Sequence, residues 1–147
     1  LSELVEYASE PFCAVAGSRG KRLARDMDAG VHVQGDISAL SQVVELLLDN
    51  ATRYASDGSE IELALKRRSR GGATLQVTNT VDTMPKGDLN RLFDRFYRAD
   101  TSRNSQTGGS GVGLSVAQAI VEAHDGNIRA QALDAHTIRF TVTLPSM

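Results

Sequence analysis

Between Gly108 and Gly126 the chain reads GGSGVGLSVAQAIVEAHDG, with four glycines in the first six positions. Leu114, Ala117, Ile120 and Val121 then follow at helical spacing. Glycine tolerates positive φ and lets a ligand approach the backbone. The first amides of the helix that follows lack intrahelical partners and lie at the positive end of its dipole. A glycine-rich turn feeding a helix start is a place for an anion, most simply a phosphate. Taken alone, the same residues also fit a tight turn without a ligand.

The chain has 147 residues and a mass of 15.8 kDa, which predicts one domain, residues 1–147, with a core that needs neither disulfide nor metal. Sixteen basic and eighteen acidic residues leave a net charge of -2, so no overall pull toward nucleic acid or an anionic membrane is implied. The single cysteine, Cys13, lies among Phe12, Ala14 and Val15 and reads as a small buried hydrophobe, consistent with a reducing compartment. The longest apolar run, Val43 to Leu48 interrupted by Glu45, is far short of a membrane span, and no basic, cleavable leader opens the chain. Because it begins with Leu rather than Met, the chain is expected to be a fragment of something longer.

In chain order, Leu4, Val5, Ala8, Phe12 and Val15 predict a first helix interrupted by Pro11 and closed by Gly17 and Gly20. Arg22 to Asp26 and Val31 to Gln34 read as short strands around a turn at Asp28-Ala29-Gly30. Asp36 is an N-cap candidate, after which Ile37, Leu40, Val43, Val44, Leu47, Leu48 and Ala51 repeat over roughly five turns. On that helix Leu46, Asn50, Arg53 and Tyr54 share a face distinct from the Leu40, Val44, Leu47 stripe. Asn50, a poor interior helix former, has either a local hydrogen-bonding role or a role toward a ligand.

A hairpin is predicted from Ile61, Leu63 and Leu65 through the Gly71-Gly72 turn to Leu75 and Val77. Its basic tip, Lys66, Arg67, Arg68 and Arg70, lacks interleaved aromatics and reads as a solvated end rather than a nucleic-acid surface. Asn79 shares strand parity with Leu75 and Val77, so its carboxamide points inward and needs a partner. Asp88 to Leu92 predicts a short helix, and Ala99 to Gly108 has the composition of a polar lid. After Gly126, Asn127 to Ala132 and His136 to Leu144 predict two last strands, the second with Ile138, Phe140, Val142 and Leu144 on one face.

The segments LLLDNATRY (Leu46 to Tyr54), FDRFYRAD (Phe93 to Asp100), Ser102-Arg103 and GGSGVGLSVAQAIVEAHDG resemble, in that order, the ATP-binding catalytic domain of bacterial sensor histidine kinases. The resemblance extends over essentially the whole chain. It implies a Bergerat-type α/β two-layer sandwich, a mixed, mostly antiparallel sheet packed on about three helices. It also implies ATP and Mg²⁺ as cofactors and transfer of the γ-phosphoryl group to a histidine in two-component signalling. Asn50 is then the Mg²⁺ ligand and, with Arg98 and Arg103 toward the phosphates, the catalytic set. Arg53, Tyr54, Asn79, Met84, Phe96, Gly109, Gly111, Val112, Gly113 and Leu114 would complete the nucleotide site, Asn79 accepting a hydrogen bond from the adenine amino group.

Two departures stand out. The family's DxGxG segment is Asn79-Thr80-Val81-Asp82-Thr83 here, and the polar residue usual one turn before Asn50 is Leu46. An amide still accepts a hydrogen bond, but β-branched Val81 and Thr83 resist positive φ, and leucine offers no metal ligand. Two alternatives therefore stay open: a non-catalytic interaction module with the same fold, or another ATPase of the superfamily. The latter is disfavoured, because those usually carry a glutamate at Leu46 and lack FDRFYRAD.

His32, His124 and His136 are widely spaced, and none lies in a metal-ligand or phosphoacceptor pattern. His124, in a last helical turn, reads as interacting with the helix dipole. The phosphate-accepting histidine is thus expected on a separate dimerisation domain of the parent, whose partners would include a response regulator but no nucleic acid. The parent is expected to be a membrane-bound homodimer with this part, itself monomeric, on the cytoplasmic face. No GxxxxGK[ST], HRD or DFG segment occurs, which argues against P-loop and Ser/Thr/Tyr kinase chemistry.

Overall fold

A computed structural model describes residues 1–94 and 113–146. Three α-helices, α1 (Ser2–Ser18), α2 (Ile37–Tyr54) and α3 (Gly113–Ala123), accompany five strands, β1 (Arg22–Met27), β2 (Glu60–Arg67), β3 (Ala73–Thr80), β4 (Asn127–Asp134) and β5 (Thr137–Leu144). The strands form one mixed sheet in the order β1-β2-β3-β5-β4, parallel only between β1 and β2. Ile61, Leu63, Leu65, Leu75, Val77, Phe140 and Val142 line its buried face against Val5, Leu40, Val44, Leu47 and Val121 of the helices. This is the α/β sandwich that the alternating strands and amphipathic helices predict.

Helix α2 forms where its periodicity placed it. The Asp36 carboxylate accepts from the Ser38 and Ala39 amides at 2.9 and 3.4 Å, and Leu40, Val43, Val44, Leu47, Leu48 and Ala51 are buried. Helix α1 runs unbroken through Pro11, which lies with Tyr7 on the exposed side, so the carbonyl that loses its helical donor faces solvent rather than the core. The predicted strand Val31 to Gln34 does not form. The Val31 amide donates to Ser2 Oγ at 2.9 Å and its carbonyl accepts from the Ser2 amide at 3.3 Å, so the start of α1 takes the groups a strand partner would use.

At the opposite edge of the sheet a 3₁₀ helix, Leu89–Phe93, capped by Asp88, covers β4. Asn90 Oδ1 accepts from the outward-facing Ala130 amide at 3.2 Å, and Phe93 meets Phe140 edge to face with centroids 6.0 Å apart. In the basic β2–β3 hairpin, Lys66 pairs with Asp26 at 2.9 Å and the Arg67 guanidinium donates to the Ala29 carbonyl at 2.8 Å, tying the strand end to β1. Cys13 is half-buried. No helix among the described residues is long and apolar enough to cross a membrane.

Candidate functional site

The C-terminal half of α2, the start of α3 and the end of β3 bring the described candidate residues toward one side of the sandwich. Asn50 is half-buried on α2, and among the described residues its carboxamide has no hydrogen-bond partner. One turn on, Arg53 Nε bonds Asp49 Oδ2 at 2.9 Å, which fixes its guanidinium along the helix surface. Tyr54 is exposed, and Met84 packs half-buried against the core.

Leu46 has a packing role. A Cβ added to Gly113 would lie 3.4 Å from Leu46 Cδ2, so the leucine supports the first residue of α3 where the backbone approaches most closely. Gly113 and Leu114 therefore open α3 directly beside α2. Phe96, Arg98, Arg103, Gly109, Gly111 and Val112 lie outside the described residues.

Asn79 is 2% exposed, as its strand parity predicts. Its Nδ2 donates to the Thr80 carbonyl at 3.0 Å, a carbonyl that also accepts from the Ser56 amide at 3.0 Å. Among the described residues Oδ1 is buried without a partner, as is Thr80 Oγ1. A buried acceptor left unmade costs about 1–3 kcal/mol, and a native structure rarely keeps one unless a ligand or water completes it. The amide orientation follows from chemistry, because exchanging Oδ1 and Nδ2 would set two acceptors against each other. What Asn79 offers a ligand is thus an acceptor alone, which fits an exocyclic amino group.

The glycine replacements are accommodated without strain. Among the described non-glycine residues only Asp125 has a positive φ, 60°, so Val81 and Thr83 are not forced into the left-handed region their β-branching resists. Val81 is buried and held from both sides: its amide donates to the His136 carbonyl at 2.8 Å, and His136 Nδ1 donates to the Val81 carbonyl at 3.3 Å. The β4–β5 turn thereby fixes the segment that glycines would otherwise shape.

At the end of α2, Lys21 Nζ donates to the Thr52 carbonyl at 2.7 Å and Arg19 Nη1 to Thr52 Oγ1 at 3.3 Å. Both place positive charge at the negative end of the helix dipole. Burial pushes the Lys21 ammonium below its ordinary value, partly offset by Asp57 and Asp82. Neither cation was singled out from the sequence, because each lies more than thirty residues from its partner. Two surface concavities, of about 320 and 460 Å³, lie elsewhere, beside Lys21 and Ser59 and between α1 and β1, and hold none of the candidate residues.

The donor set suits a magnesium nucleotide. The Asn79 oxygen is an acceptor of the kind an amino group needs, and Gly113 opens α3 without a Cβ, so the first amide of the helix is free of a side chain of its own. Asn50 supplies one neutral oxygen. No group of three His, Cys, Asp or Glu side chains is gathered among the described residues. Mg²⁺ accepts such a site, since it commonly takes one or two protein oxygens and fills its octahedron with phosphate and water.

Residues 35–147 match the family described as histidine kinase-, DNA gyrase B-, and HSP90-like ATPase. The chain is 37% identical over 115 residues to the probable sensor kinase SilS of Salmonella typhimurium, covering 78% of this chain and 23% of SilS. It is 34% identical over 145 residues to the signal transduction histidine-protein kinase BaeS of Escherichia coli K12, covering 99% of this chain and 31% of BaeS. Thus it spans about a quarter to a third of these curated relatives. Among solved structures, the mycobacterial sensor histidine kinase MprB superposes with a TM-score of 0.83 at 26% identity, over 97% of this chain and 93% of that one. With this sheet and these helices, the chain belongs to the histidine kinase-, DNA gyrase B-, and HSP90-like ATPase family, as the ATP-binding catalytic domain of a sensor histidine kinase.

Proposed function

We propose that this domain, residues 1–147, binds Mg-ATP and directs its γ-phosphoryl group to a histidine on a separate dimerisation domain of a longer sensor kinase. The observation that supports the reading is the Asn79 Oδ1, buried and without a partner among the described residues, which would accept from the adenine amino group. Asn50 would hold the magnesium ion through its carboxamide oxygen, and the amides at the start of α3 would face the phosphates. When bound, the metal neutralises charge on the phosphates. Arg98 and Arg103 are proposed to approach the transferring group, and Phe96, Gly109, Gly111 and Val112 to complete the nucleotide enclosure. Arg53 and Tyr54 would border it on α2, with Met84 and Leu114 along its apolar wall. Catalysis then consists of positioning and electrostatic stabilisation, the nucleophile being supplied from outside the domain.

The non-catalytic alternative is not favoured, since Leu46 and Val81 each have a packing role that leaves the acceptor and the glycine approach intact. We further propose a response regulator as downstream partner, and a membrane-bound, homodimeric parent that presents this domain on the cytoplasmic side. Titration calorimetry with ADP and ATP, with and without Mg²⁺, tests the reading. Saturable, Mg²⁺-dependent binding that weakens on the order of tenfold or more in Asn50→Ala is expected. A folded wild-type domain that shows no saturable binding at millimolar nucleotide would overturn it.

A further inference from the structure

Helices α2 and α3 run antiparallel and meet at two places. Near the candidate site, Leu46 supports Gly113. The second meeting point is where α2 begins and α3 ends, roughly 15 Å away along the helices. There the His124 ring lies between the helices: Nδ1 is 2.8 Å from the Ile120 carbonyl, and Nε2 is 3.1 Å from the Asp36 amide nitrogen.

A carbonyl only accepts and an amide N–H only donates, so the two contacts fix the proton. Nδ1 carries it and Nε2 is the bare acceptor. The imidazole thus joins α3 to the start of α2 with one rigid group: it adds a second donor to the Ile120 carbonyl, which also accepts from the His124 amide at 3.2 Å, and it accepts from the Asp36 amide. Gly35 makes room for it: an added Cβ would lie 2.6 Å from His124 Cδ2 and 2.8 Å from Leu40 Cδ1. Since Gly35 does not have positive φ, space for the ring is the reason for glycine there.

We infer that His124, seated against Gly35, is a positioning residue that sets the alignment of α2 and α3 and so the distance between Asn50 and the first amides of α3. The role in ligand binding rests on the nucleotide reading above. A phosphate chain reaching between Asn50 and Gly113 feels a tilt or slide of α3 against α2. A base held at Asn79, on the sheet, does not. Loosening the clasp should therefore weaken recognition of the phosphates and spare recognition of the base.

Two measurements test this. Ring-nitrogen NMR of the ¹⁵N-labelled domain at neutral pH should show His124 as the neutral tautomer protonated on Nδ1. Protonation on Nε2, or an imidazolium, overturns the clasp. Affinities for ADP and AMP, each with Mg²⁺, are then compared in wild type, His124→Phe and Gly35→Ala. ADP binding should weaken about tenfold in both variants while AMP binding changes less than about twofold. Equal losses for the two nucleotides, or no loss, in a folded variant overturn the positioning role. If His124→Phe does not fold, Gly35→Ala decides the outcome. If the wild type binds neither nucleotide, the nucleotide reading and the positioning role fall together, while the tautomer still decides the clasp.

Discussion

Asn79 makes with its amide a contact that an ionised carboxylate could not make at the same place, a hydrogen bond donated to a carbonyl. Its Nδ2 is tied to the Thr80 carbonyl at 3.0 Å, leaving Oδ1 without a partner among the described residues. In Asn79→Asp an ionised oxygen would face that carbonyl without a hydrogen between them, inside a site that is 2% exposed. The expected cost is about 1–3 kcal/mol of stability at neutral pH. Burial and the facing carbonyl would raise the carboxyl above its unfolded value of about 4. The sign follows: in the variant, stability is retained below pH 4 and lost as pH rises through the raised folded value. Chemical denaturation of both proteins at about pH 4 and pH 7.5 should show a gap that widens with pH. A gap that is constant or narrows would mean that the asparagine is not held as a donor to Thr80.

At the scale of elements, α2 is anchored at both ends by groups from elsewhere in the chain. His124 meets its start, and Lys21 and Arg19 meet Thr52 in its last turn. Replacing Lys21 by methionine keeps most of the apolar stem and removes the donor, and is expected to cost on the order of 1 kcal/mol. The pH dependence is opposite to that of a stabilising cation with a raised value. Because burial lowers the Lys21 value, the unfolded chain holds its proton more tightly than the native one. Stability from this group therefore rises as pH climbs through the lowered folded value toward 10.5, and falls as pH drops back through it. Denaturation of wild type and Lys21→Met between pH 8 and 10.5 should show that increment in the wild type alone. Identical pH profiles would remove the desolvated ammonium from the account.

These anchors mark the limit of what local pattern reveals. The burial of α2 followed from its three-and-four repeat, and the inward Asn79 from the parity of β3, since both depend on neighbours a few residues away. Val31 to Gln34 read as a strand because the alternation was there, but Ser2 took the Val31 backbone groups. His124 was legible only as a cation-type partner for a helix end; its acceptor role toward Asp36, 88 residues away, needed the fold. Leu46 and Val81 looked like losses against the family pattern because their packing partners, Gly113 and His136, are distant in sequence.

At the scale of the whole molecule, the candidate nucleotide contacts are divided between layers. Asn79 belongs to the sheet, Asn50 to α2, and Gly113 to α3, with the sheet and all three helices sharing one buried cluster. A ligand that touches both layers binds only while they are held together. If residues 1–147 fold as one unit, bound nucleotide stabilises all of it by mass action. At a free concentration of a hundred times Kd the gain is about 2.7 kcal/mol, which for a domain of this size raises the melting temperature by roughly 5–10 °C. Calorimetry with saturating Mg-ADP should therefore show one transition that moves as a whole, and Asn50→Ala should abolish most of the shift at the same nucleotide concentration. Two transitions, only one of them moved by nucleotide, would divide the chain into independent units and place the ligand in just one of them. A single transition that ignores nucleotide would leave the fold cooperative and remove its proposed ligand, because no group bound across both layers can fail to stabilise a unit that must come apart together.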